Sequence, residues 1–154
     1  MKKIIKIFVS FAMVFTLVGC SHAKKIETLN DIMDVVYSDI KEDELPMMIE
    51  RHDVTEENEE WYLQTTELEY EEALASESAT SSIAHSVVLI RMKSAEDVEA
   101  AKEVLKESID GYKWICVGVE QENIVIDSKD DVIVVIVDGF DLTDRLHSNF
   151  VEKL

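Results

Sequence analysis

Apolar positions along the chain fall into helical and extended patterns separated by polar breaks. Leu29, Ile32, Met33, Val36, Tyr37 and Ile40 recur at i, i+3, i+4, i+7, i+8 and i+11, the spacing of one helix face. Thr28 and Asp31 stand as a capping pair at its start, and Pro46 marks the break after it. Residues 54–57 (VTEE) read as a helix opening, with acids in the first turn. Residues 61–66 (WYLQTT) have strand composition, and 67–72 fit a strand better than a helix. Residues 76–82 are rich in Ser, Thr and Ala and read as a loop. The pattern then sharpens. Residues 86–92 (SVVLIRM) form a strand, and Ser94-Ala95-Glu96-Asp97 opens a helix whose core face is Val98, Ala101, Leu105 and Ile109, with Gly111 as its stop. Residues 123–127 and 131–137 form a hairpin joined through 128–130. Val132 to Val137 carries no polar alternation, so it is expected inside the sheet and covered on both faces. Asp141 is expected to cap a last helix with Leu142, Leu146, Phe150 and Leu154 along one stripe.

Helices and strands in this order do not alternate strictly, which disfavours a doubly wound parallel sheet. The expected class is α+β, with an antiparallel or mixed sheet of about four strands packed with two to three helices. Residues 28–154 form a single domain in this reading. A chain of this length buries roughly 68% of its unfolded surface and needs no disulfide for stability.

The first twenty residues are patterned differently. Lys2, Lys3 and Lys6 precede an uncharged run from Ile7 to Val18. Twelve residues fall short of the roughly 20 that span a bilayer core, but they match the length of a secretory h-region. The run ends in Leu17-Val18-Gly19-Cys20, which resembles the lipobox of bacterial lipoproteins. The resemblance implies cleavage between Gly19 and Cys20 and a diacylglycerol on the Cys20 thiol. Residues 1–19 would then be a signal peptide and 20–27 a lipidated tether. Two acyl chains meet the condition for stable anchoring, which a single chain does not. The implied location is the extracytoplasmic face of the cell membrane.

Charge narrows the picture further. The chain holds 15 basic and 33 acidic residues, a formal charge of −18. Loss of residues 1–19, with three lysines and no acid, takes it to −21. A nucleic-acid partner is excluded, because phosphate recognition needs a basic face. Residues 42–72 concentrate 13 acids against one base, Arg51. Glu56, Glu57, Glu59 and Glu60, with Trp61 beside them, form a candidate interaction face. This strip is either a solvated surface or a site for a cationic or cation-bridged envelope partner. Weak Ca²⁺ binding is the metal-dependent version.

Residues 82–138 resemble an uncharacterised domain of small lipoproteins from Gram-positive bacteria. The resemblance lies in Ala84-His85-Ser86-Val87-Val88-Leu89-Ile90, the charged helix 94–109 and the hairpin 122–137. It implies the fold and the location and brings no chemistry. Ser86 stands where that family commonly has an acid.

Catalytic patterns are sparse. Gly111, Gly118 and Gly139 are too far apart for a phosphate-cradling loop, and G-x-S-x-G, H-E-x-x-H and C-x-x-C do not occur. Ser21-His22-Ala23-Lys24 matches S-x-x-K, but it falls within the tether. No cofactor, catalytic residue or metal ligand is assigned. His85 is either a loop-anchoring hydrogen bonder or a further residue of the interaction face. Asp144 and His147 share a helix face as a surface pair or a weak metal pair. With Cys20 consumed in a thioether, Cys116 is left as a buried small hydrophobe or a reactive thiol. The function expected is therefore a lipid-anchored interaction module. The alternatives are an envelope enzyme with paired carboxylates, and a signalling peptide released from residues 8–19.

Overall fold

The computed structural model describes residues 28–154. The lipobox residues Leu17, Val18, Gly19 and Cys20 lie outside the described residues. The elements run α1 (Leu29–Val36), β1 (Ile49–Asp53), α2 (Glu59–Tyr62), β2 (Tyr70–Ser78), β3 (His85–Met92), α3 (Val98–Ser108), β4 (Ile124–Lys129), β5 (Val132–Asp138) and α4 (Thr143–Lys153). The five strands make one antiparallel sheet in the order β1-β2-β3-β5-β4. The α+β class holds.

Strand alternation splits the core in two. Leu74, Val87, Leu89, Val132, Val134 and Ile136 pack against Leu29, Ile32, Met33 and Val36 of α1 and against Leu146 and Phe150 of α4. On the other face Ala73, Ala75, Val88, Ile90, Ile133 and Val135 pack against Val98, Ala101 and Leu105 of α3, with Leu63 and Trp114. Every residue of β5 is buried, as its uninterrupted Val/Ile run predicts for a strand between two helical layers.

Local chemistry sets several boundaries. Thr28 caps α1 by accepting from the Asp31 N–H. The helix stops at Val36, short of Ile40, and the chain turns through Asp39 at φ 64°. Ser94 accepts from the Glu96 N–H and starts a 3₁₀ turn that leads into α3. The α4 start differs from expectation. Asp141 sits at φ 60°, and the backbone N–H groups of Phe140 and Leu142 go instead to Asp138 Oδ2 at 3.1 and 2.7 Å. The acid at the end of β5 thus fixes the turn that leads into α4, while the helix's N-cap, Leu142, makes no side-chain cap bond.

Four other readings change. Residues 61–66 are not a strand: Asn58 accepts from the Thr55 N–H and donates to Asp53 O, a side-chain turn that starts the short α2. Leu63 then plugs the core, fully buried. Residues 76–78 are not loop. They continue β2, held by Ile49–Arg51 on one side and by residues 86–87 on the other. The edge strand β1 (IERHD) was not expected, because its charges hide a strand that is bonded on one side only. Gly111 does not end α3, which stops at Ser108. A Cβ at Gly111 would lie 1.9 Å from Val119 O, so this glycine closes the loop 111–119 on itself.

Candidate functional site

The acidic strip divides on folding. Glu56, Glu57 and Glu60 are exposed around the start of α2. Glu59 is partly covered and accepts from the Tyr70 hydroxyl at 3.1 Å. Burial, and then that carboxylate, push the Tyr70 phenol up to about 12. Glu56, Glu59, Glu69, Tyr70 and Lys93 border an open depression. Trp61 is 43% exposed, and its indole N–H donates to Glu77 Oε1 at 3.0 Å.

Glu77 is the centre of an unexpected cluster. It occupies the α3-side face of β2, and its side chain is 7% exposed. Its partner is Lys113, equally buried, with Nζ 2.6 Å from Glu77 Oε2. The ammonium lies 5.0, 5.2 and 5.5 Å from the ring centres of Trp114, Trp61 and Tyr62. It also reaches Ser86 Oγ and Trp61 O, each at 3.4 Å. Burial lowers the Lys113 pKa, against the opposing pull of Glu77. Lys113 therefore pins the loop 111–119 to the sheet with its charge inside an aromatic box. Glu77 follows the small and apolar run Ala73–Ser76 of β2, apart from the exposed Glu71 and Glu72 at the start of the strand, but nothing in the spacing paired it with a lysine 36 residues away.

The second buried network lies on the opposite sheet face at the same end. His85 is fully buried and does not join the acidic face. Of the two readings for it, the structure supports the hydrogen bonder. Its Nδ1 is 2.6 Å from Asp138 Oδ1, and its Nε2 is 2.8 Å from the Tyr37 hydroxyl. This geometry suits an imidazole donating through Nδ1–H to the carboxylate and accepting the phenolic proton at Nε2. Burial raises the Tyr37 pKa far above its ordinary value; the Ser76 hydroxyl and Arg51 oppose that rise. The Ser76 hydroxyl is buried beside the phenol without a hydrogen bond of ordinary geometry. With Asp138 also holding the Phe140 and Leu142 N–H groups just before α4, this network ties α1, β3, β5 and the turn into α4 together.

Other candidates resolve simply. His147 pairs with Asp127 of β4 at 2.7 Å, not with Asp144. Burial works against the charge on Asp127, but the hydrogen bonds from His147 and the Ser128 N–H hold its pKa below the ordinary value. Cys116 is exposed, at φ 62°, and so is not the buried hydrophobe expected. The turn that closes on Gly111 swings the thiol outward. Among the described residues no group of three or more His, Cys, Asp or Glu could hold a metal ion. No helix there is long and apolar enough to cross a membrane.

The two networks meet at one sheet end, beneath four loops: 46–48, 79–84, 111–119 and 139–141. Loop 79–84 binds each of the others through the backbone. Ala79 N donates to Met48 O at 2.9 Å, Ile115 N to Ser81 O at 3.0 Å, and Gly139 N to Ala84 O at 2.9 Å. Thr28 and Leu29, where the described chain begins, border a cleft with Asp53, Val54 and residues 70–74, towards the opposite end of β1 and β2. No protein-family model, curated protein or solved structure matches this chain.

Proposed function

We propose that the protein is a lipid-anchored extracytoplasmic interaction module. Cys20 carries the diacylglycerol, residues 21–27 are the tether, and the domain 28–154 is held outside the membrane for contact with a partner in the envelope. The observation that carries the reading is the register of Lys2, Lys3 and Lys6, the uncharged run 7–18 and Leu17-Val18-Gly19-Cys20. Two features of the domain support it. Its described chain begins away from the four-loop end, so that end is free to face away from an anchor. Its acidity disfavours lying flat on anionic headgroups.

The test is a Cys20→Ser chain compared with the parent for radiolabelled fatty-acid incorporation and membrane fractionation. The parent is expected to take up label and sediment with membranes at the mass of residues 20–154. The Ser chain is expected to lose the label and remain unprocessed. A Cys20→Ser chain that still reaches the mature mass and membrane fraction refutes the proposal.

A further inference from the structure

The four-loop end carries exposed apolar side chains that the core does not use. Met47 is 69% exposed, Met48 61%, Ile115 66% and Phe140 44%. They come from three different loops, and all three are hydrogen-bonded to loop 79–84. These side chains therefore stand on an ordered platform. The loop bearing Ile115 is pinned further by Lys113 inside the Glu77 box, and Phe140 follows the Asp138 hub. Large apolar side chains kept in water on loops that share one hydrogen-bonded scaffold mark a contact surface, and methionine adapts to an irregular partner.

Charge identifies the partner. Within the four loops the only charged residues are Lys113, turned into Glu77, and the exposed Asp141. No Lys or Arg stands within two residues of any of these loops, whereas Glu50, Asp110 and Glu120 do; Glu44, also adjacent, is already paired with Arg145 at 3.1 Å. A second copy of this chain would bring the same acids against them, and anionic lipid would be repelled in the same way. We propose that this end docks a protein segment that combines large apolar side chains with Lys or Arg. The apolar groups would seat between Met48, Ile115 and Phe140, and the cations would meet the surrounding acids.

The proposal deepens the interaction-module reading and takes from it only the availability of an envelope partner. The test places a photo-reactive benzophenone side chain at position 48, 115 or 140 of the full-length chain in producing cells. Position 151, 41% exposed on α4, serves as the control. Irradiation is followed by mass spectrometry of the cross-linked peptide. The expected result is at least tenfold more adduct at 48 and 115 than at 151, with the captured peptides net positive and rich in Leu, Ile, Phe or Met. In a second arm, Met48→Glu and Ile115→Glu are each expected to lower the adduct at 140 at least fivefold. Circular dichroism of the same variants is expected to stay unchanged, since both side chains are mostly in solvent. A peptide of this same chain, a lipid adduct, an acidic peptide, or yields equal to position 151 would each overturn the proposal. Cross-linking reads the occupant whether or not Cys20 is lipidated, so this proposal and the anchored-module reading fail separately.

Discussion

Replacing Lys113 by Met separates the charge of the aromatic box from its packing. Methionine keeps an unbranched apolar stem of similar length between Trp61, Tyr62 and Trp114, so little packing is lost. The change strands Glu77, whose side chain is 7% exposed. Its remaining partner is the Trp61 indole N–H. Breaking one side of a buried ion pair costs about 3–5 kcal/mol, chiefly because the orphaned charge stays desolvated. Loss of the cation from ring faces 5.0–5.5 Å away adds about 1 kcal/mol. Glu77→Leu should cost a similar amount by orphaning the ammonium. The pair Lys113→Met with Glu77→Leu removes both charges together and should lie within about 1–2 kcal/mol of the parent. The expected coupling between the two sites is therefore at least about 3 kcal/mol. The assay is urea unfolding at neutral pH followed by tryptophan fluorescence. Trp61 and Trp114 are the only tryptophans, and both touch the box. A loss below about 1 kcal/mol for Lys113→Met, or a double variant as unstable as the two single changes added together, refutes the reasoning.

Three further changes test the remaining ties. Tyr37→Phe removes the hydroxyl that meets His85 Nε2 and should cost about 1–3 kcal/mol in urea unfolding. The same variant has a pH signature. The folded Tyr37 phenol keeps a proton that the unfolded chain releases near pH 10, so its contribution is full below pH 10 and is lost as pH rises beyond it. The parent should lose stability on alkaline titration more steeply than Tyr37→Phe, and equal slopes would show that the phenol ionises without penalty. Asn149→Ala deletes the amide donor to Val36 O and Ser38 O at the end of α1; thermal unfolding should register about 1–3 kcal/mol, and a neutral effect would mean that water replaces the amide. Gly111→Ala forces a methyl group into Val119 O and should open the loop, seen as faster amide exchange at Val119, whose N–H otherwise bonds Gly111 O at 2.9 Å.

How much of this was legible in the sequence depends on where each residue's partner lies. The helix faces of α1, α3 and α4 and the strands β3 to β5 follow from periodicity, because their apolar positions are set by the sheet they cover. The strand end at 76–78 was missed because its residues are polar. They are strand only because β1 and β3 flank them and because Lys113 and Met47 satisfy Glu77 and Ser78 across 36 and 31 residues. β1 was missed for the same reason. Of the candidate interaction residues, Glu56, Glu57, Glu60 and Trp61 reach the surface, Glu59 is half withdrawn to Tyr70, and His85 goes inside. A histidine at a strand entrance carries no local sign of whether it faces water or a tyrosine 48 residues earlier.

The placement of the polar groups is itself informative. His85 and Ser86 are consecutive residues of β3, so the pleat sends one to each face. One joins Tyr37 and Asp138 beneath α1 and α4, and the other joins Lys113 and Glu77 on the α3 side. The opposite end of β3 shows no such pair: Ile90 and Met92 are apolar, and Arg91 reaches surface acids Glu72 and Asp131. A core that needed only stability would be served at least as well by apolar residues at positions 77, 85, 86, 113 and 138. Polar networks have the property that apolar packing lacks: they accept one arrangement of partners and reject slipped ones. Both networks hold segments that lead into the exposed platform, Lys113 for the loop of Ile115 and Asp138 for the loop of Phe140. The directional bonds are concentrated where loop position must be fixed, and that is the end of the sheet whose side chains are left in water.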